Sequence, residues 1–412
     1  MCCGSPYLHY IYLKGFYFMY LVGIDIGKNS HTFSIMNQNS GEVVHSPDSF
    51  KNNKTGFEYL INVVSHYANS SLLIGMEVTG HYHINLLKFL LMKQYTVALI
   101  NPQTTDLERK SQGGITKNDP LDSITICDVL DSPARKKKYR ITTFNSFELY
   151  EQKQLTRHHH NLKEQLNVLC CRLQKCIDLV FPEYNSLFGS KYGIVYMNVL
   201  RTFQSAENIA SADIESIKEC FITNRKGRKI SLTPEKLLKA ATDSIGFSST
   251  ANEIQIKHLI SQIDELNAEI DEVDKKIEEF SSHNNSPILS IPGISDFSGT
   301  SILAELGDIH NYSKASQIIK FAGVAPFHYE SSQFNAQHTA ITKHGSKYLR
   351  KTLYQVIMAV IRFNPVFKTF YDLKRLQGKS HRCAQGHCVR KLLRLIYHLE
   401  STNTQFDSTL LV

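Results

Sequence analysis

The sequence lacks a disulfide framework. Its nine cysteines fall at positions 2, 3, 127, 170, 171, 176, 220, 383 and 388. An odd number without regular spacing argues against an oxidised scaffold and for a reducing compartment. A membrane span is also missing. The apolar, aromatic run over residues 7–24 is interrupted by Lys14, whereas a spanning helix needs about 20 nearly continuous apolar residues. The same run has neither the charged start nor the small-residue cleavage site of a signal peptide. A cytoplasmic protein with no membrane partner is expected, with residues 1–18 as either an upstream extension or a misassigned start. Acids are almost absent from residues 340–399, where Asp372 stands alone against thirteen Lys and Arg from Lys343 to Arg394. That block carries a net +12, while the other 352 residues hold 33 basic and 37 acidic side chains. A field of one sign concentrated in one place implies a polyanionic partner, most often nucleic acid.

What is present is an ordinary folded composition. Of 412 residues, 42% are hydrophobic and 20% charged, which excludes global disorder and predicts about two to four domains. Residues 20–26 read as a buried strand, followed by strands at 32–36 and 42–45, with helical spacing at Phe57, Leu60, Ile61 and Val64. A strand at 71–78, a helix at 84–92 and a strand at 96–100, stopped by Asn101-Pro102, complete an α/β pattern. The basic segment Arg135–Arg140 reads as a connector. Beyond it, Leu162, Leu166, Leu169, Leu173, Cys176 and Val180 keep helical spacing. Ile256, Leu259, Ile263, Leu266, Ile270, Val273, Ile277 and Phe280 repeat at alternating steps of three and four, a heptad seam that could pair within one chain or between chains. The remainder reads as mostly helical and basic.

Several carboxylates occupy positions that suit chemistry. Asp25 and Glu77 lie at strand ends, where α/β sheets assemble sites. Asp119 and Asp122 are three residues apart at the start of a helix over 120–130, on one face. Alone, that pair would be explained by capping and the helix dipole. Gathered in one pocket, four carboxylates raise each other's pKa and call for a divalent counter-charge. Oxygen-only ligands favour Mg²⁺ or Mn²⁺. Two such ions about 4 Å apart would clamp the attacking and leaving oxygens of a phosphodiester exchange.

The order and context of these residues carry a resemblance. V-G-I-D-I-G-K at 22–28, the Glu in G-M-E-V-T-G at 75–80, N-P at 101–102 and T-K-N-D-P-L-D at 116–122 resemble a RuvC-like, RNase H-fold domain. More narrowly, the chain resembles the DEDD transposases of the Piv-like insertion-sequence family, the bridge-RNA-guided recombinases. Further matches in order are P-G-I at 292–294, L-A-E-L-G-D-I at 303–309, F-A-G-V-A-P at 321–326, I-T-K-H-G-S-K-Y-L-R at 341–350 and V-R-K-L-L at 389–393. The resemblance implies an RNase H-like domain over 19–133, a helical coiled-coil region over 134–286, a mainly helical transposase domain over 287–400 and a tail at 401–412. It also implies a nucleophilic serine after the Ala-Pro turn. Counting from Pro326, that position falls on Ser331, and Ser332 replaces the family's usual glycine. Glycine allows backbone conformations that serine resists, so which of the two serines attacks stays open.

The implied chemistry is transesterification through a covalent phosphoserine, with Asp25, Glu77, Asp119 and Asp122 as catalytic metal ligands. The implied partners are donor and target DNA, a structured guide RNA from the element, and further copies of the chain in a dimer or tetramer. Lys343, Lys347, Arg350 and Lys351 fall at helical spacing beside the serine loop and are expected to face phosphates. The G-I-D-I-G opening also begins sugar kinases and actin-like ATPases, but the second Asp-x-Gly strand and the adenosine loop of those proteins are missing. An unguided DNA invertase, a RuvC-like junction nuclease and an inactive DNA-binding relic stand as the other readings.

Overall fold

The computed structural model describes residues 19–67, 71–78, 80–111, 119–131, 139–142, 145–222, 231–282, 285–327, 330–331, 334–335 and 340–408. The expected extension at 1–18 and Ser332 lie outside them. The chain forms two compact units, one ending at Glu151 and one beginning at Gln152. The domain limits expected at 133/134 and 286/287 do not coincide with this division.

The first unit is a mixed sheet with helices on both faces. In chain order it contains β1 (Tyr20–Ile26), β2 (Ser30–Asn37), β3 (Val43–Lys51), α1 (Lys54–Ser65), β4 (Leu72–Glu77), α2 (Ile84–Met92), β5 (Thr96–Ile100), α3 (Pro102–Ser111), α4 (Asp119–Asp131) and β6 (Tyr139–Thr142). The sheet order is β3-β2-β1-β4-β5-β6. β1 pairs antiparallel with β2 and parallel with β4, and β4 pairs parallel with β5. This is the α/β arrangement expected of an RNase H-like domain.

Two elements depart from the sequence expectation. The run 135–140 is not only a connector, because Tyr139–Thr142 pairs antiparallel with β5 as a sixth strand. Asn101-Pro102 ends β5 but also opens α3: the Asn101 side chain accepts from the Gln103 amide at 2.9 Å, and proline suits a first helical position.

Side-chain alternation divides the sheet between two cores. Val22, Ile24, Ile74 and Met76 face α1 and α2, packing with Phe57, Leu60, Leu86 and Leu90. Leu21 and Leu73 face the other way, against Ile126, Val129 and Leu130 of α4. Period two then places Gly23 and Asp25 of β1, and Glu77 of β4, on the α4 side.

The second unit is helical. Its long helices are α5 (Asn145–Val180), of which the greater part lies here, and α6 (Thr250–Ser282). Cys176 meets Gln255 at 3.6 Å, while His159 meets Asp274 at 3.2 Å. Sequence rises along one helix as it falls along the other, so the two run antiparallel. The α6 seam is spent inside this chain: Ile256, Ile260 and Ile263 pack with Leu173 and Ile177, and Ile270, Val273 and Ile277 pack with Leu162.

The rest of the unit contains α7 (Asp296–Leu306), α8 (Ala315–Phe321), a two-stranded hairpin of β7 (Glu330–Ser331) and β8 (Phe334–Asn335), α9 (Lys347–Phe363), α10 (Pro365–Leu376) and α11 (His381–Thr402). Ile302, Leu353, Ile357, Val389, Leu392 and Ile396 share one buried core. Among the described residues, no helix is long and apolar enough to cross a membrane.

Candidate active site

The acid site is built by a close approach of α4 to the sheet. A Cβ on Gly23 would lie 2.1 Å from the Ser123 carbonyl oxygen and 2.9 Å from the Cys127 amide. Only glycine lets α4 rest directly on β1. Around that contact, Ser34 Oγ and Ser123 Oγ are 2.6 Å apart, and the buried Cys127 thiol points to the carbonyls of Leu21 and Ser34 at 3.6 Å. These contacts fix the N-terminal turn of α4, with Asp119 and Asp122, beside the ends of β1 and β4.

The electrostatics report the convergence. Asp25 has its carboxyl pushed up to about 6 from the usual 3.8, first by burial and then by the charges of Asp119, Asp122 and Glu77. The charges of the other three sequence-selected acids therefore all reach Asp25. Asp25 and Glu77 are half-buried and Asp119 is exposed.

Helix α3 adds residues that the sequence reading did not select. Arg109 Nη1 donates to Asp122 Oδ1 at 2.8 Å, and its Nη2 donates to Asp106 Oδ1 at 2.8 Å. Thr105 Oγ1 donates to Glu77 Oε2. The missed signal was the Asn-Pro pair, a helix start read as a stop. Carboxylate-only donors under mutual repulsion suit a hard divalent cation. Among the described residues, however, no three His, Cys, Asp or Glu groups are drawn together at the spacing that holds an ion. The acids form a coupled set, not a closed ligand sphere.

The serine candidate lies in the second unit. Ser331 pairs with Phe334 across the β7–β8 hairpin. The root of that hairpin is a short ladder: Phe327 N donates to Ala340 O at 2.9 Å, Thr342 N to Ala325 O at 2.9 Å and Lys343 N to Gly323 O at 3.0 Å. Its far end is tied down by a buried carboxylate. Glu305, 2% exposed, receives Arg157 Nε at 2.5 Å, Arg157 Nη2 at 3.0 Å and Ser346 Oγ at 2.7 Å. Ser346 also caps α9, accepting from the Leu349 amide at 3.1 Å.

The four basic residues expected as one phosphate-facing row are placed differently. Lys343 precedes the helix, exposed, in a turn at φ 54°. Lys347 is exposed, with Nζ 4.9 Å from the centre of the Tyr348 ring. Arg350 donates to the carbonyls of Ala322 and Lys343 at 3.2 Å, and Lys351 pairs with Glu164 at 2.9 Å. Lys343 and Lys347 remain outward, Arg350 lies on backbone carbonyls and Lys351 pairs with an acid.

Comparison with known proteins follows the same outline. Residues 22–182 match a transposase family model, the DEDD transposase domain of IS110 elements, and residues 285–372 match the transposase IS116/IS110/IS902 family. The chain is 24% identical over 397 residues to the pilin gene-inverting protein of Moraxella bovis, covering 94% of this chain and 97% of that protein. It is 24% identical over 173 residues to an uncharacterized 43.6 kDa protein of insertion element IS110 from Streptomyces coelicolor, covering 42% of this chain and 39% of that one. A solved structure of T. thermophilus RuvC in complex with a Holliday junction substrate covers 30% of this chain and 99% of its own, at 11% identity and a TM-score of 0.23. The protein is a DNA transposase or recombinase. The domains it carries are those of IS110-family transposases.

Proposed function

We propose that the protein is an insertion-sequence transposase that cuts and rejoins DNA through Asp25, Glu77, Asp119, Asp122 and Ser331. The observation that carries this reading is the convergence of the other three acids on the half-buried Asp25, whose carboxyl is raised first by burial and then by their charges. Such repulsion between carboxylates costs free energy, and a site of this kind takes up positive charge. Mg²⁺ or Mn²⁺ held by these four carboxylates would supply Lewis-acid stabilisation of phosphoryl oxygens. Ser331 Oγ attacks a DNA phosphodiester, displaces the 3′ oxygen and conserves the bond as a phosphoserine ester. The released strand later attacks that ester and frees the serine. Arg109 and Thr105 hold Asp122 and Glu77 in place for this work.

In the same reading, an element RNA chooses the DNA sites by base pairing, and several copies of the chain assemble on the DNA in the cytoplasm. The sequence resemblance supports guidance and assembly. A second reading, site-specific inversion without a guide, is favoured by the near full-length likeness to a pilin gene-inverting protein.

One reaction set separates them. The protein is incubated with DNA carrying element ends and Mg²⁺, with and without the element RNA, and strand exchange is followed. Exchange that needs the RNA supports guidance. Inversion of a segment between two sites without RNA supports the second reading. Undiminished cutting by Asp25→Ala and Glu77→Ala overturns the acid assignment in both.

A further inference from the structure

The serine hairpin has a cationic root that the acid site and the serine do not use. Arg390 of α11 reaches across to the segment before the hairpin, where Nη1 donates to the Val324 carbonyl at a long 3.4 Å. Its Nη2 donates to His387 Nδ1 at 3.0 Å. Arg350 of α9 donates to the Ala322 carbonyl, at the C-terminal cap of α8 just before Val324, at 3.2 Å. The fit there is close: a Cβ on Gly323 would meet Arg350 Nη1 at 2.5 Å. Two guanidinium groups thus sit on alternate carbonyls of one short segment. Tyr354, one helical turn beyond Arg350, lies within the fields of Arg390, Arg350 and Arg382, and Gly386 keeps α11 close to its hydroxyl.

This cluster is electrically incomplete. Among the described residues, none of Arg350, Arg382, Arg390 and Arg394 has a carboxylate partner, although Lys351 nearby does. Arg390 is half-buried, and burial opposes its positive form. Burial and then Arg390 lower the His387 pKa, and because a guanidinium only donates, His387 Nδ1 is the acceptor in this contact. Crowding guanidinium groups in a partly dry site costs free energy that an anion would offset. Guanidinium and phenol donors at one place match a phosphate oxygen set. The motif V-R-K-L-L at 389–393, left without a role by the sequence reading, supplies the central arginine.

We propose that Arg390, Arg350 and Tyr354 form a binding site for a backbone phosphate of the substrate DNA, at the root of the Ser331 hairpin. The site fixes the register of the strand relative to the hairpin. It rests on DNA as the substrate and not on the serine step, so the two can fail separately.

The test is equilibrium binding of the full chain, in a Ser331→Ala background that keeps any serine step out of the reading. Labelled element-end DNA and labelled element RNA are titrated at several salt concentrations. Arg390→Gln is expected to weaken DNA binding about tenfold and to lower the salt slope by about one. Arg390→Lys recovers part of the loss by restoring the charge. Tyr354→Phe keeps the packing and is expected to weaken binding a few-fold, which preserves the test if Arg390→Gln misfolds. Unchanged DNA affinity and salt slope in folded Arg390→Gln and Tyr354→Phe overturns the proposal, as does a loss confined to RNA. A covalent adduct formed by Ser331→Ala would instead count against the serine reading and leave the phosphate site standing.

Discussion

Arg109 and Asp122 are locked together in the acid site, Nη1 to Oδ1 at 2.8 Å, with side chains only 17% and 12% exposed. The pair joins α3 to the first turn of α4 and gives one of the four acids a built-in counter-charge. Without that cation, Asp122 would act at full strength on Asp25. Arg109→Gln is therefore expected to move the Asp25 titration above about 6. It should also slow strand cutting by up to about 100-fold, the scale of a small misplacement of reacting groups. Carbon-13 NMR of labelled aspartate reads the titration; an unmoved Asp25 would show that the ion pair has no electrostatic role.

The raised carboxyl of Asp25 makes a signed prediction for stability. Its folded pKa, about 6, exceeds the ordinary 3.8, so the folded state binds more protons between those values. Stability from this group falls as pH rises from about 3.8 to 6 and stays lowered above that. In chelator, Asp25→Asn should melt higher than the wild type at pH 7.5, and the gap should close towards pH 4. Added Mg²⁺ at pH 7.5 should raise the wild-type melting temperature more than the variant's. Equal pH profiles for the two proteins would contradict the coupling.

Gly23 is predicted to be irreplaceable for steric reasons, since a methyl there meets the backbone of α4. Gly23→Ala should cost about 1–3 kcal/mol by overpacking. It should weaken DNA cutting more than DNA binding, because it moves Asp119 and Asp122 away from the sheet. Denaturant melts and a binding titration on the same sample check both parts.

Glu305 is a buried acid that takes two nitrogens of Arg157 and the hydroxyl of Ser346. Glu305 is the buried member, 2% exposed against 32% for Arg157, so Arg157→Ala strands its carboxylate in a dry place and should cost about 3–5 kcal/mol. Replacing both Arg157 and Glu305 by apolar residues of similar volume should cost less than Arg157→Ala alone. Thermal melts of the single and double variants decide this, and strictly additive losses would argue against a coupled pair.

Much of the sheet was legible because its signals are local. The apolar run at 20–26 and the helix at 84–92 are where their patterns place them, and Asp25 and Glu77 face α4 because strand side chains alternate. The seam from Ile256 to Phe280 was readable as a stripe, but its partner was not, since a heptad does not encode which helix it meets. One misreading had a local cause. Asn101-Pro102 both stops a strand and starts a helix, and choosing one role hid Thr105 and Arg109. For the cations at 343–351, spacing shows a helix face and not what packs on it: Arg350 turns to the Ala322 carbonyl and Lys351 to Glu164. Pairings such as His160 Nε2 with Thr352 Oγ1, 3.0 Å apart and 192 positions distant in sequence, follow from tertiary packing alone.

The central claim is that a serine of the β7–β8 hairpin becomes joined to DNA under control of the acid quartet. Its most direct test is to trap the reaction with element-end DNA and Mg²⁺, digest the protein and DNA, and locate the remaining nucleotide by mass spectrometry. The account predicts a phosphonucleotide on Ser331 in the wild type and none in Asp25→Ala or Glu77→Ala. A nucleotide on Ser332, or strand exchange that proceeds with no serine modified, would contradict it.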